Sequence, residues 1–178
     1  MLDSFSLYLL LIAVVACERL VELVLSTRNR RWALARGGVE VGQGHYPFMV
    51  AVHAAFLLSC GLEPWLLQRS WQPTMGGAML VLVLLAMGLR YWAIATLGRR
   101  WNTRVVVLPG VPLVTAGPYK RFRHPNYVAV IVEIFALPLV HSAWLTAVLF
   151  TLLNLVVLRT RVAVEERALS SSSPASSR

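Results

Sequence analysis

Charge is what this sequence has least of. Only 14% of its 178 residues are Asp, Glu, Lys or Arg, while 57% are hydrophobic. A soluble domain of this length cannot hide that much apolar surface, so a water-soluble globular protein is excluded. Acidic residues are scarcer still, 8 against 17 basic ones, for a net charge of +9. In a soluble chain that excess would point to nucleic acid. Here the arginines sit between apolar blocks, where topology and phospholipid headgroups account for them, and no nucleic-acid partner is expected. Cysteine is nearly missing. Cys17 and Cys60 both lie in apolar stretches, without metal spacing or a disulfide framework. They read as small buried residues, and no metal is expected. Met1-Leu2-Asp3 lacks the basic start of a cleaved signal, so the first apolar block reads as a retained helix.

Long apolar runs are what the chain does have. They cover residues 5–25, 48–67, 75–97 and 128–158. The last is too long for one crossing, which needs ~20 residues. Pro138 and the polar pair His141-Ser142 interrupt it, and proline breaks the helical hydrogen-bond ladder. The expectation is a helical hairpin, 127–137 out and 143–159 back. The fold class that follows is an all-α integral membrane protein of about five transmembrane helices, its last two a hairpin, in one domain over 1–169.

Arginine and lysine placement supports this. Arg28, Arg30, Arg31 and Arg36 follow the first helix, and only Arg69 lies between the second and third. Arg99, Arg100, Arg104, Lys120, Arg121 and Arg123 follow the third, and Arg159, Arg161 and Arg167 the fifth. Rich and poor loops alternate as the positive-inside rule requires. This places the N-terminus and the His141 tip outside, and both long loops and the C-terminus in the cytoplasm, as in a bacterial inner membrane. Within the second long loop, 104–108 and 111–115 flank Pro109-Gly110, which predicts a short β-hairpin-like element. The Ser-rich tail 170–178 reads as unstructured.

Ionisable groups inside a membrane are costly, yet Glu18, Arg19, Glu22, His53, Arg90 and Glu133 all fall within apolar blocks. At ~1.5 Å per residue, Glu18, His53, Arg90 and Glu133 come out roughly 8–10 Å below the cytoplasmic surface, with Asn154 near the same level. Such a layer is either a structural ion-pair network with snorkelling arginines or the wall of a cofactor or headgroup cavity.

Two further runs carry chemistry. Gly117-Pro-Tyr-Lys-Arg-Phe-Arg-His-Pro-Asn-Tyr127 enters the fourth helix, with Pro125 suited to its first turn. Arg159-Thr-Arg-Val-Ala-Val-Glu-Glu-Arg167 leaves the fifth. The hairpin makes these helices neighbours, so His124 and Tyr127 should meet Glu165 and Glu166. Taken alone, the basic run is a headgroup-facing stop and the Glu pair a solvated helix end. Together, histidine, tyrosine and paired carboxylates around a backbone turn could hold a cationic, nucleoside-bearing cofactor.

At Leu113-Val-Thr-Ala-Gly-Pro-Tyr119, Phe122-Arg-His-Pro-Asn-Tyr127, and Arg161 with Glu165-Glu166, the sequence resembles the isoprenylcysteine carboxyl methyltransferase family, including its small bacterial members. The resemblance covers roughly the C-terminal half. It implies S-adenosylmethionine, with S-adenosylhomocysteine as product, bound by Gly117, Tyr119, His124, Pro125, Tyr127, Glu165 and Glu166. It implies a lipid-like acceptor from the bilayer, with Arg161 and Asn102 on the acceptor side. This chain departs from the eukaryotic members, which carry a longer acidic run where Val162-Ala163-Val164 stands. The acceptor is therefore a prenylcysteine-type carboxylate or the hydroxyl of a long-chain alkylresorcinol or alkylpyrone. A carboxylate needs no base, whereas a phenol, with a pKa of ~10, does. His45 and Glu133 are the candidates, with Arg90 beside Glu133 in the polar layer. Two alternatives compete. An NADPH-dependent membrane reductase would share a similar hairpin, but no dinucleotide fingerprint is present. A non-catalytic membrane scaffold would not require the buried charges.

Overall fold

The computed structural model describes residues 3–172, with the backbone alone at 45 and 169–172. It holds five long helices: α1 (Ser4–Leu34), α2 (Tyr46–Leu66), α3 (Pro73–Leu97), α4 (Pro125–Leu139) and α5 (Trp144–Ser172). By length and composition α2, α3 and α5 can each cross a membrane. α4 is shorter. At ~1.5 Å per residue its 15 residues reach about 22 Å, less than the ~30 Å hydrocarbon core. It compensates by lying inside the bundle, with Ala129, Val130, Ile134, Ala136, Leu137, Pro138 and Leu139 all buried. α3 packs closely on it through a narrow stripe of small residues, Gly76, Val83, Ala86 and Ala93. Small side chains let helix backbones approach where lipid supplies no hydrophobic drive.

α1 shows why hydropathy alone misplaces a boundary. The expected helix ends at 25, but α1 continues through Arg28, Arg30 and Arg31 to Leu34. Its buried positions are Tyr8, Val15, Glu22, Ser26, Asn29 and Ala33, one stripe at helical spacing that turns from apolar to polar toward the basic end. There it holds a loop. Asn29 Nδ2 donates to the carbonyls of Gly98 (3.2 Å) and Trp101 (2.7 Å). Ser26 Oγ accepts from the Thr103 amide at 3.0 Å and lies 3.2 Å from Asn102 Oδ1.

The short sheet lies at the same end, but its strands are not those expected. β1 (Val39–Val41) pairs antiparallel with β2 (Val105–Val107), Glu40 opposite Val106. Residues 111–115 form no strand. Gly110, at φ +72°, turns the chain, and Pro112 has no amide hydrogen to offer a ladder. The pairing is clamped by Glu40, whose side chain bonds Arg30 Nε (2.5 Å) and Arg104 Nη1 (2.9 Å). Arg104 also lies over the Tyr46 ring at 3.9 Å. Burial would raise the Glu40 carboxyl, but the two arginines outweigh it and hold it below its ordinary value. A carboxyl depressed in the folded state stabilises fully above its unfolded value of ~4.3, and that stabilisation drains away as pH falls through the lower folded value. Limited proteolysis between β1 and α2 is therefore expected to be flat from pH 8 to 5 and to accelerate only below about pH 4. Glu40→Gln should cleave readily at every pH.

At the opposite end the hairpin turn is buried. His141 and Ser142 are 5% and 3% exposed. Tyr8 stacks on the His141 ring and Phe5 meets it edge-on, while Ser142 Oγ donates to the Ser70 carbonyl at 2.9 Å. Glu63, on α2, accepts from the Leu145 and Thr146 amides at 3.2 and 2.7 Å. It thereby satisfies two of the donors that every helix N-terminus leaves open. α4 also runs to Leu139, past Pro138. α5 continues to Ser172, and the rest of the Ser-rich tail, 173–178, lies outside the described residues.

Candidate active site

The hairpin brings its two motifs together at the basic end. Gly117 opens a 3-10 turn (Gly117–Lys120) at φ +54°. A Cβ there would stand 2.5 Å from Thr96 Oγ1, so only glycine allows this turn to sit against α3. The chain then reaches His124, the residue before α4, and buried Pro125 at its first position, where the missing amide hydrogen costs nothing. His124 stacks on Tyr127, with ring centroids 5.1 Å apart. The Tyr127 hydroxyl donates to Glu165 and accepts from Arg161 Nε at 2.8 Å. His124 Nδ1 is 3.9 Å from Glu165, and Nε2 is 4.0 Å from Glu166, which also faces Arg123 at 3.6 Å. Arg161 is 7% exposed and further donates to Met49 Sδ on α2 (3.1 Å) and to the Asn102 carbonyl (3.5 Å).

These residues border a cavity of about 660 Å³, within the ~300–1,000 Å³ typical of small-molecule sites. Tyr119, His124, Tyr127, Arg161, Glu165, Glu166 and Asn102 line it, together with Trp101, Asn126 and the apolar side chains of β2, Leu97 and Leu113. Burial, and then the Glu165 carboxylate, push the Tyr119 phenol up to about 12, so it remains a neutral donor at physiological pH. Four lining residues carry buried polar atoms that make no hydrogen bond: Trp101 Nε1, Asn102 Nδ2, His124 Nε2 and Asn126 Oδ1. Buried polar atoms are normally satisfied, so among the described residues these four are open hydrogen-bonding groups on side chains that border the cavity.

Gly117 and Pro125 shape the cavity without lining it. Arg90 and Glu133 also lie outside its lining. They pair with each other at 2.9 Å and join Glu22 (Arg90, 3.3 Å) and Arg19, which is 2.9 Å from Glu22 and 3.7 Å from Glu133. Glu18 completes the group, bonded by the Tyr91 hydroxyl. Three helices thus share one buried ion network. Asn154 is 1% exposed on α5. The His45 side chain lies outside the described residues. Sequence reasoning missed Trp101 and Asn126. Trp101 follows Arg99-Arg100 and reads as an interfacial anchor, and only its loop, pinned by Asn29, turns it inward. Asn126 stands inside the quoted motif, between two residues with stronger signals.

No solved structure matches the chain. It is 38% identical over 164 residues to YpbQ, an uncharacterised protein of Bacillus subtilis (strain 168), across 92% of this chain and 96% of that one. It is 26% identical over 159 residues to an uncharacterised protein of Haemophilus influenzae (strain ATCC 51907 / DSM 11121 / KW20 / Rd), across 89% and 92%. Residues 79–171 match the isoprenylcysteine carboxyl methyltransferase (ICMT) family, a span that includes most of the cavity wall. With helices built to cross a bilayer and this match over more than half its length, the chain belongs to the isoprenylcysteine carboxyl methyltransferase family and is a membrane methyltransferase.

Proposed function

We propose that the protein is an S-adenosylmethionine-dependent O-methyltransferase that acts on a lipid-like acceptor from the bilayer, with its basic end in the cytoplasm of a bacterial inner membrane. The observation that carries this is a cavity bordered by the family motif, with four side chains in its lining whose buried polar atoms make no hydrogen bond among the described residues. The residues present fit the cofactor. Trp101, Asn102, His124 and Asn126 offer donors and acceptors to a nucleoside and an amino-acid group. Glu165 and Glu166 offer negative charge to a cationic ligand. When bound, the cofactor supplies an electrophilic methyl carbon, so the protein's task is to align an oxygen nucleophile with it.

The chain's own residues supply that alignment. The Tyr127 hydroxyl, held between Glu165 and Arg161, locks α4 to α5 and fixes the cavity's inner wall. Guanidinium carries five N–H groups. Three of Arg161's are engaged with Tyr127, Met49 and Asn102, which leaves others to orient an acceptor oxygen that bears negative charge. Val105, Val107, Leu108 and Leu113 exclude water from the opposite wall. A lipid that stays in the bilayer need not expose its chain, at ~0.8 kcal/mol per CH₂. Both acceptor classes, prenylcysteine-type carboxylate and long-chain alkylresorcinol or alkylpyrone hydroxyl, suit this arrangement.

Calorimetry in detergent with S-adenosylhomocysteine, and with NADPH in parallel, tests the reading. Binding of the former alone is expected. His124→Ala and Glu165→Ala should each weaken it tenfold or more, since a hydrogen bond to a charged group contributes ~1.5–3 kcal/mol. Equal affinity in both variants would remove the hairpin end from the cofactor site.

A further inference from the structure

Three hydroxyls packed behind the Trp101 loop form a chain whose direction follows from counting protons. Ser26, 3% exposed on α1, stands at its centre. Its Oγ accepts from the Thr103 amide at 3.0 Å, and it lies 2.8 Å from Thr103 Oγ1 and 3.2 Å from Asn102 Oδ1. An amide oxygen only accepts, so Ser26 spends its one proton there. The 2.8 Å contact then takes its proton from Thr103. That leaves Thr103 none for the Tyr46 hydroxyl, 3.3 Å away, so Tyr46 is the donor. Every proton runs one way, from Tyr46 at the start of α2 through Thr103 and Ser26 to Asn102.

Asn102 lines the cavity, whereas Ser26, Thr103 and Tyr46 stand behind its lining. The oxygen and nitrogen of a planar amide leave it in different directions. With Oδ1 turned back onto Ser26, Nδ2 is the end left for the cavity side, and it is buried without a hydrogen-bond partner among the described residues. Neighbouring Trp101 is in the same state, with only an indole N–H to offer. Arg161 reaches the Asn102 carbonyl at 3.5 Å, and its three partners, Tyr127, Met49 and Asn102, carry no charge. This side of the cavity therefore presents N–H donors next to a cation.

We infer that Ser26 and Tyr46 are positioning residues, which hold the Asn102 amide nitrogen toward the cavity beside Arg161, where the two receive a ligand carboxylate. The inference rests on the proposed binding of S-adenosylmethionine and a lipid-like acceptor. Two sources bring such a group: the amino-acid end of the cofactor, or a prenylcysteine-type acceptor. A carboxylate only accepts hydrogen bonds and is ionised at neutral pH, so it matches donors that stand beside a guanidinium. Without the Ser26 proton the amide is free to turn its oxygen forward, and an oxygen there repels the same group. Ser26 and Tyr46 both lie outside residues 79–171, so helices beyond the family match control this side of the cavity.

Calorimetry in detergent with two ligand pairs tests this. One pair is S-adenosylhomocysteine and its analogue lacking the carboxylate. The other is N-acetyl-S-farnesylcysteine and its methyl ester. Wild type is expected to prefer the carboxylate member of one pair by about tenfold or more, the scale of one hydrogen bond to a charged group. The pair that shows the preference names the source. Ser26→Ala should cut the preference about fivefold while binding the carboxylate-free member within about twofold of wild type, which shows the fold intact. Tyr46→Phe, which keeps the ring beneath Arg104, should cut it about twofold. Asn102→Asp, of the same shape but without donors, should abolish it, and adding Ser26→Ala should then change nothing further, because both act through one group. A wild type without preference for either carboxylate overturns the inference. So do Ser26→Ala and Tyr46→Phe variants that keep the wild-type preference, since a merely structural role weakens both members of a pair alike. Failure of the wild type to bind S-adenosylhomocysteine at all overturns instead the reading on which the inference rests.

Discussion

Replacing Arg90 by methionine is expected to lower the thermal midpoint of the protein in detergent by roughly 10 °C. Arg90 is 5% exposed and stands between Glu22 on α1 and Glu133 on α4, at 3.3 and 2.9 Å. α1 makes few close backbone approaches to α3 or α4, so long charged side chains bridge that gap. Removing the guanidinium leaves two buried carboxylates to share Arg19 alone. Breaking a buried pair from one side typically costs ~3–5 kcal/mol, and each kcal/mol moves the midpoint by ~2–4 °C at this size. The double variant Arg90→Met with Glu133→Gln should recover part of the loss, because it removes the stranded charge as well as its partner. A single variant that melts within a degree of wild type would show that the network does not hold α1 in place.

Replacing Arg161 by methionine is expected to abolish useful turnover while the protein still folds. The variant should lose on the order of a hundredfold or more in kcat/KM, measured as transfer of labelled methyl to a long-chain alkylresorcinol. Arg161 ties α5 to α4 through Tyr127, to α2 through Met49 and to the Trp101 loop through Asn102. Charge-assisted hydrogen bonds contribute ~1.5–3 kcal/mol each, so the loss of two corresponds to at least that factor. Arg161→Lys should restore little. A point charge cannot copy the planar fork that reaches three partners at once. Retention of activity within threefold in the methionine variant would remove Arg161 from the acceptor side of the cavity.

Several features of this protein can be read from residues alone, because their cause is local. The bilayer demands apolar runs of a set length, so α2, α3 and the hairpin follow from hydropathy and Pro138. The family motif is contiguous on each arm of that hairpin, so the meeting of His124 and Tyr127 with Glu165 follows once the hairpin is accepted. Equal depth of Glu18, Arg90 and Glu133 follows from helix rise. Which of them pair does not follow, because pairing depends on how each helix is rotated. That rotation put Arg90 and Glu133 on each other, away from the cavity lining.

Other features depend on partners distant in sequence. Three-residue strands have no period to detect, and β2 chose β1 because Glu40 could bind Arg30 and Arg104 together. His141 is polar and stands at a turn, yet Phe5 and Tyr8 from the start of α1 cover it. Trp101 faces the cavity because Asn29, on another helix, holds its carbonyl. The sequence by itself determined a membrane-spanning helical protein, its hairpin and its methyltransferase motif, since lipid solvation and short-range spacing act residue by residue. Only the tertiary structure decided which polar groups are paired and which are left open around the cavity, since hydrogen bonds in a low-dielectric interior are settled by geometry between helices.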